Sequence, residues 1–297
     1  MRIFLLAALP LFLVPEAPMG KAGPGPEIRT SDVTRFYQLY DAAGGQPEAM
    51  VLQTQYIDAG SSGVREFVPY RIVSGENLAS VVRATPEPYR QARACVSALP
   101  AVKQRLKPAF AKLARLYPEA KFPPVTILIG ANNSGGTVGP TGVLIGLEVV
   151  CSTVRSGETA EDRLVHLIAH EYAHVEQPEG GPETVLAQSL KEGTAELIAE
   201  LISGSIANSH LPLWVKGREV AIGEAFLAAK DSKKLSPWLY AGVGTPEKPG
   251  DLGYWVGYRI AKSYYDRARN KRAAIRTLLL LEDPEAILRD SGWRPGL

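Results

Sequence analysis

The chain has 297 residues, 45% of them hydrophobic, enough to bury one sizeable core or two modest ones. Lys and Arg number 33 against 31 Asp and Glu, so no bulk field draws the chain to nucleic acid or to an acidic membrane. Fibrous, collagen-like and disordered classes are excluded as well, and any partner has to be read from a site.

The opening MRIFLLAALPLFLVPEAPMGKAG carries one early Arg and an apolar run from Ile3 to Val14 broken by Pro10. The run is too short to span a bilayer, so it reads as a secretory signal peptide over residues 1–22, cleaved after Ala22, with an uncleaved anchor as the alternative. No cysteine lies near it, which argues against a lipid anchor. The expected location is therefore secreted or periplasmic, with no stable membrane anchor once the signal is removed.

After a Gly/Pro leader, SDVTRFYQLYDAAGG has a capping residue, helical apolar spacing and a Gly stop, and predicts a helix. Residues 86–117 predict more helix, interrupted at Pro100 and Pro108. Cys95 and Cys151 are the two cysteines; they form either one disulfide or two buried thiols, and without a CxxC pair they are not a metal site. PPVTILIG and VLIGLEVV read as two strands, adjacent in the sheet, joined by the Gly-rich loop ANNSGGTVGPTG. Either strand could take an extended peptide by strand addition. The rest is mostly helical. Without repeats or long linkers, one domain over residues 23–297 is expected, α+β and predominantly α-helical, its small sheet just before a histidine-rich stretch.

That stretch, HLIAHEYAHVEQ, places His166, His170 and His174 at intervals of four. HEYAH matches His-Glu-x-x-His, and on a helix His170 and His174 lie one turn apart on one face, where both can reach one zinc. Glu171 lies about a hundred degrees round the helix, placed to reach a water on the metal without ligating it. Leu164, Val165, Leu167 and Ile168 keep helical company with it, and Pro178 ends the run. His166 is about 12 Å along the axis from His174, too far to share a metal with it, and is assigned to packing or a supporting role.

Zinc needs another ligand. Downstream, AQSLKEGTAELIAELI offers Glu192, Glu196 and Glu200. If one helix ends near Gln177 and the next begins near Glu183 and runs antiparallel, a rise of about 1.5 Å per residue brings Glu192 level with His170. Glu196, one turn on, is placed to accept from the outer nitrogen of a ligand histidine. Gly193 would let the two helices approach closely, and Glu200 reads as part of a solvated acidic face.

HEYAHVEQ followed by EGTAE resembles the gluzincin branch of zinc metallopeptidases. The chain is similar, more closely, to the predicted zinc-dependent proteases filed as a domain of unknown function, through FYQLYDAA, QYIDAGSSGV, FPPVTILIG, SGGT, GVLIGLE, LGYWVGYRIAKSYYDR and SGW. The resemblance implies a zincin-like metallopeptidase domain with His170, His174 and Glu192 as ligands of one catalytic Zn2+ and Glu171 as general base.

GANNSGGT, residues 130–137, is a near miss to a phosphate loop, with Gly136 where the lysine belongs, and reads better as a rim of the cleft. On YWVGYRIAKSYYDRARNKR, Tyr254 is the first candidate donor to an oxyanion and Tyr258 the second. The basic run behind them reads as a solvated face, so no nucleic acid is expected. The resulting expectation is a secreted or periplasmic zinc metallopeptidase acting on a polypeptide substrate. Two alternatives stand beside it: a non-proteolytic zinc-containing binding or chaperone-like protein, and a zinc amidase with a non-protein substrate.

Overall fold

A computed structural model describes residues 25–155 and 157–297; the expected signal peptide, residues 1–22, lies outside them. In chain order the first half runs β1 (Ile28–Arg29), α1 (Ser31–Ala42), α2 (Ala49–Val51), α3 (Ser62–Phe67), α4 (Gly75–Ala84), α5 (Pro86–Cys95), α6 (Leu99–Leu116), β2 (Val125–Leu128), β3 (Gly136–Gly139) and β4 (Gly142–Gly146). The second half is helical: α7 (Leu147–Ser152), α8 (Ala160–Glu176), α9 (Val185–Ser203), α10 (Leu211–Trp214), α11 (Glu219–Ala229), α12 (Leu252–Arg267), α13 (Lys271–Leu280) and α14 (Pro284–Ser291). The protein is thus α+β and mostly helical. Among the described residues no helix is long and apolar enough to cross a membrane.

The four strands form one mixed sheet in the order β1-β2-β4-β3, parallel except for the antiparallel β3–β4 pair. β2 and β4 pair side by side, and both are buried along their length. Three expectations change here. The Gly-rich loop contributes β3, because Gly136–Gly139 fold back on β4. VLIGLEVV is a strand only to Gly146; Leu147 begins α7, whose first turn carries Glu148 inward. And β2 and β4 each have partners on both sides, so neither can accept an added strand; the edges are β1 and β3. Further upstream, Pro108 sits inside α6 without breaking it, and Pro100 falls in the first turn, where no intrahelical N–H is needed.

One core cluster joins the sheet to the apolar side of α8, with Ile168, Ala169 and Tyr172 packed under α6; the Tyr172 ring lies 4.4 Å from that of Phe110. A second gathers around α12 with Trp255, Val256 and Phe226. α9 belongs to both, giving Ala195 and Ile198 to the first and Leu190 and Leu197 to the second. Cys95 and Cys151 are joined in a disulfide, with Cα atoms 6.4 Å apart, tying α5 to α7.

The role expected of Gly193 is corrected. A Cβ on Gly193 would lie 2.0 Å from the carbonyl carbon of Gly257, and one on Gly257 would lie 1.7 Å from the Ser189 oxygen. The glycine allows close approach, but to α12 rather than to α8. Two facing glycines press α9 and α12 backbone to backbone.

Candidate metal centre

α8 starts at a Thr159 cap, whose side chain accepts from the Asp162 amide, and stops at Gln177, whose extended backbone leads into the Pro178 turn. Thr184 caps α9 in the same way through the Ala187 amide. The two helices therefore begin and end within a residue or two of where spacing put them, and they bring three side chains together. His170 Nε2 lies 3.2 Å from His174 Nε2, and Glu192 Oε2 lies 3.3 and 3.2 Å from those two nitrogens. Tetrahedral zinc with bonds of about 2.0–2.1 Å needs donor atoms roughly 3.3 Å apart. The set fits that ion in both donor chemistry and spacing, and all three side chains are largely buried.

Supporting contacts fix these donors. Gln177 Oε1 accepts from His174 Nδ1 at 2.6 Å, while Gln177 Nε2 donates to the Lys191 carbonyl at 2.8 Å, so one amide orients a histidine and bridges α8 to α9. Glu196 Oε1 lies 3.4 Å from His170 Nδ1, close enough for charge pairing but outside hydrogen-bond geometry, and the ring nitrogen is otherwise unpartnered. Glu196 is itself held by Ala207 N at 2.7 Å and Asn208 Nδ2 at 2.6 Å. The Tyr240 hydroxyl donates to Glu192 Oε1 at 2.9 Å, leaving Oε2 facing the histidines.

Charge follows this layout. Burial opposes a proton on His170, yet Glu196 and Glu192 outweigh it and raise its pKa above the ordinary imidazole range. Burial likewise opposes the charge of Glu192, but His174 and His170 hold its carboxyl well below the usual carboxylate range. Two buried carboxylates thus stay anionic beside the imidazoles, an environment that favours a cation. Glu171 differs: burial pushes its pKa up, with His174 and His170 pulling back. Its carboxyl packs against β3, where a Cβ on Gly136 would lie 2.5 Å from Oε1, so a side chain at that position would have to displace the carboxylate.

The remaining candidates separate. Tyr254 stacks on His170, with ring centroids 6.1 Å apart, and faces the same cleft. Tyr258 does not: its hydroxyl donates to Glu200 Oε2 at 3.0 Å on the far side of α9. Glu200 is correspondingly no free surface acid, since Lys262 also pairs with it at 3.1 Å. His166 points away, its Nδ1 2.8 Å from Ser203 Oγ. In the near-miss phosphate loop, the amides of Gly130 and Asn132 donate to Glu148 at 3.0 and 3.2 Å and are spent on a buried carboxylate. Spacing gave no hint of Gln177, Tyr240 or Arg71. Only the position of Gln177, three residues after His174 at the helix end, carried a signal that could have been used.

Helices α8 and α9 define a protein with a buried His-His-Glu donor set opening on a polar cleft of about 960 Å³, walled by β3, Tyr240 and Tyr254. A family model matching the chain is that of gliding motility protein GldB, over residues 230–295. No curated protein and no solved structure matches. The resemblance drawn from the motifs is corrected by this finding: the match over residues 230–295 is to gliding motility protein GldB, not to the predicted zinc-dependent protease family or the gluzincin branch, and no metallopeptidase family is found. The reading of the chain as a zinc metallopeptidase, and with it protease, metalloprotease and hydrolase, is overturned on the same finding. The physical lesson is that a His-Glu-x-x-His helix specifies donor geometry, and donor geometry alone does not specify turnover. The matched stretch contains Tyr240 and Tyr254 and excludes the histidines and Glu192.

Proposed function

We propose that the chain is a non-proteolytic, zinc-containing binding protein of the cell envelope that holds an extended polypeptide in this cleft. The observation that carries the reading is the convergence of His170 Nε2, His174 Nε2 and Glu192 Oε2 on one point at tetrahedral spacing. Three protein donors leave a coordination position open toward the cleft, whereas a purely structural zinc is closed by four. Bound zinc supplies a positive centre that attracts an oxygen donor of the ligand. Tyr240 keeps Glu192 on one oxygen, and Tyr254 forms an aromatic wall against His170. β3 is the free edge of the sheet beside the cleft, so its backbone groups suit an added strand, with Glu171 alongside to accept an amide N–H.

A small sheet, then a helix with both histidines, then a helix with the glutamate is the order of zincin-like domains, and it supports assigning this fold to them. Three features support the envelope. These are the apolar opening run, the Cys95–Cys151 disulfide expected of an oxidising compartment, and the similarity to a gliding motility protein. The finer choice between secreted and periplasmic goes to the periplasm on the same grounds.

Metal analysis of the purified protein, run beside fluorescence anisotropy with an unbiased peptide library, tests the proposal. One zinc per chain is expected, essentially absent from Glu192→Ala, with peptide binding lost on chelation and peptides recovered intact by mass spectrometry. Zinc retained by Glu192→Ala removes the site. Zinc-dependent cleavage of any peptide removes the non-proteolytic reading.

A further inference from the structure

Three cations line the cleft around the candidate ligands: Arg71, Lys121 and Lys191. Among the described residues none of them is in an ion pair with a carboxylate. Of the cleft acids, Glu171 lies near enough to feel the Arg71 charge without pairing with it. Glu192 and Glu171 face the candidate cation, which leaves exposed Glu179 alone among the lining residues.

Arg71 is the most constrained of the three. Its Nε donates to Ser134 Oγ and its Nη2 to Thr137 Oγ1, each at 3.1 Å, and its guanidinium carbon lies 5.2 Å from the centroid of the Phe67 ring. The Asn133 side chain donates to its backbone carbonyl at 3.0 Å. Two hydroxyls and a ring fix the plane of the guanidinium without neutralising its charge, and Nη1 has no partner among the described residues. A fixed, planar fork held without an ion pair is the geometry that recognises a carboxylate with two parallel hydrogen bonds.

Its contact with Thr137 of β3 sets where that carboxylate would come from. Gly136 faces Glu171, and the next residue, Thr137, faces Arg71. Neighbouring strand residues face opposite sides of a sheet, and a strand added to the free edge of β3 alternates in the same way. Resting on the peptide-binding reading above, we infer that the cleft selects acidic peptides. Arg71 takes the side-chain carboxylate of the residue next to the one lying at His170, His174 and Glu192. Lys121 and Lys191 add the same sign at the rim and make association sensitive to salt.

The test uses the full zinc-loaded chain and matched peptides differing only by Glu against Gln at single positions, each with free and amidated C-termini, read by fluorescence anisotropy at low and high salt. An acidic peptide should bind about tenfold tighter than its Gln counterpart, the low end for a hydrogen bond to a charged group. The preference should persist in amidated peptides, weaken at high salt, vanish in Arg71→Gln and survive in part in Arg71→Lys, with zinc content unchanged throughout. Equal binding of Glu and Gln peptides, or an unaltered preference in Arg71→Gln, overturns the inference while leaving zinc-dependent peptide binding in place. A preference confined to free C-termini also overturns it, in favour of a terminal carboxylate. Absence of binding by every peptide removes this inference and the peptide-binding reading together.

Discussion

At the scale of single residues, the site depends on groups that hold other groups. Gln177 accepts from His174 Nδ1 and donates to Lys191, while Glu196 sits against His170 Nδ1 and gathers the amides of Ala207 and Asn208. Losing such a partner costs about 10–100-fold in metal affinity or activity, whereas losing a donor leaves zinc with two protein ligands. Gln177→Ala and Glu196→Ala should therefore keep one zinc per chain but yield it to a competing chelator roughly 10–100-fold more readily. Glu196→Ala should also be the less stable fold, because it strands the Ala207 amide in a buried setting. If Glu196→Ala is purified without metal while Glu192→Ala keeps it, the two glutamates exchange roles. The sequence was legible here where chemistry and periodicity coincide. His170 and His174 share a face because they are four apart, and Glu192 meets them because two helices of known rise run antiparallel across a short turn. Tyr240 and Arg71 were not legible, because each reaches the cleft from a segment whose path no local pattern fixes; Tyr240 lies on the long connection between α11 and α12.

At the scale of elements, α9 is the shared wall between α8 and α12, and its closeness to α12 rests on Gly193 against Gly257 and Ser189. The sequence marked Gly193 as a point of close approach but named the wrong neighbour, since a glycine shows that something comes near without showing what. β3 was missed for a related reason: a Gly-rich stretch lacks the alternation that signals a strand, and only pairing with β4 reveals it. α7 was hidden inside a β-branched run whose propensity is overridden, just past Gly146 at the end of β4, by the buried anchor Glu148. Because backbone lies at about van der Waals contact across α9 and α12, Gly193→Ala cannot be absorbed by a side-chain shift. It should cost at least the 1–3 kcal/mol typical of overpacking and push α12 outward, carrying Tyr254 away from His170. Denaturant unfolding measures the first effect, and zinc affinity the second. A variant as stable as the parent would show that the helices are not packed this closely.

At the scale of the whole molecule, the sheet and the helices are tied together by links that respond differently to conditions. The disulfide closes a separation of 56 residues between α5 and α7, worth on the order of 4 kcal/mol in the chain-entropy account. Glu148 links the end of β2 to α7: Gly130 and Asn132 donate to its carboxyl, while Tyr56 and Tyr89 donate to the carbonyls of Ile129 and Gly130 beside it. Full burial of Glu148 disfavours its charge more than the two amides favour it, and its pKa is pushed up to about 7. Glu176, whose carboxyl accepts from the Lys121 amide, is pushed up to about 7 by burial as well. A carboxyl whose pKa is higher folded than unfolded binds its proton more tightly in the fold. Its contribution is therefore fully present below the unfolded value, near 4.5, and is lost as pH rises through 7. For Glu148 alone the loss is on the order of 3 kcal/mol. Glu148→Gln cannot titrate and gives up one acceptor, so it should be less stable than the parent at pH 5, with the gap narrowing toward pH 8. Unfolding by urea at a series of pH values across that window measures the gap directly. A gap that stays constant, or widens as pH rises, would mean that the two amides outweigh burial and that Glu148 is an anion in the folded protein.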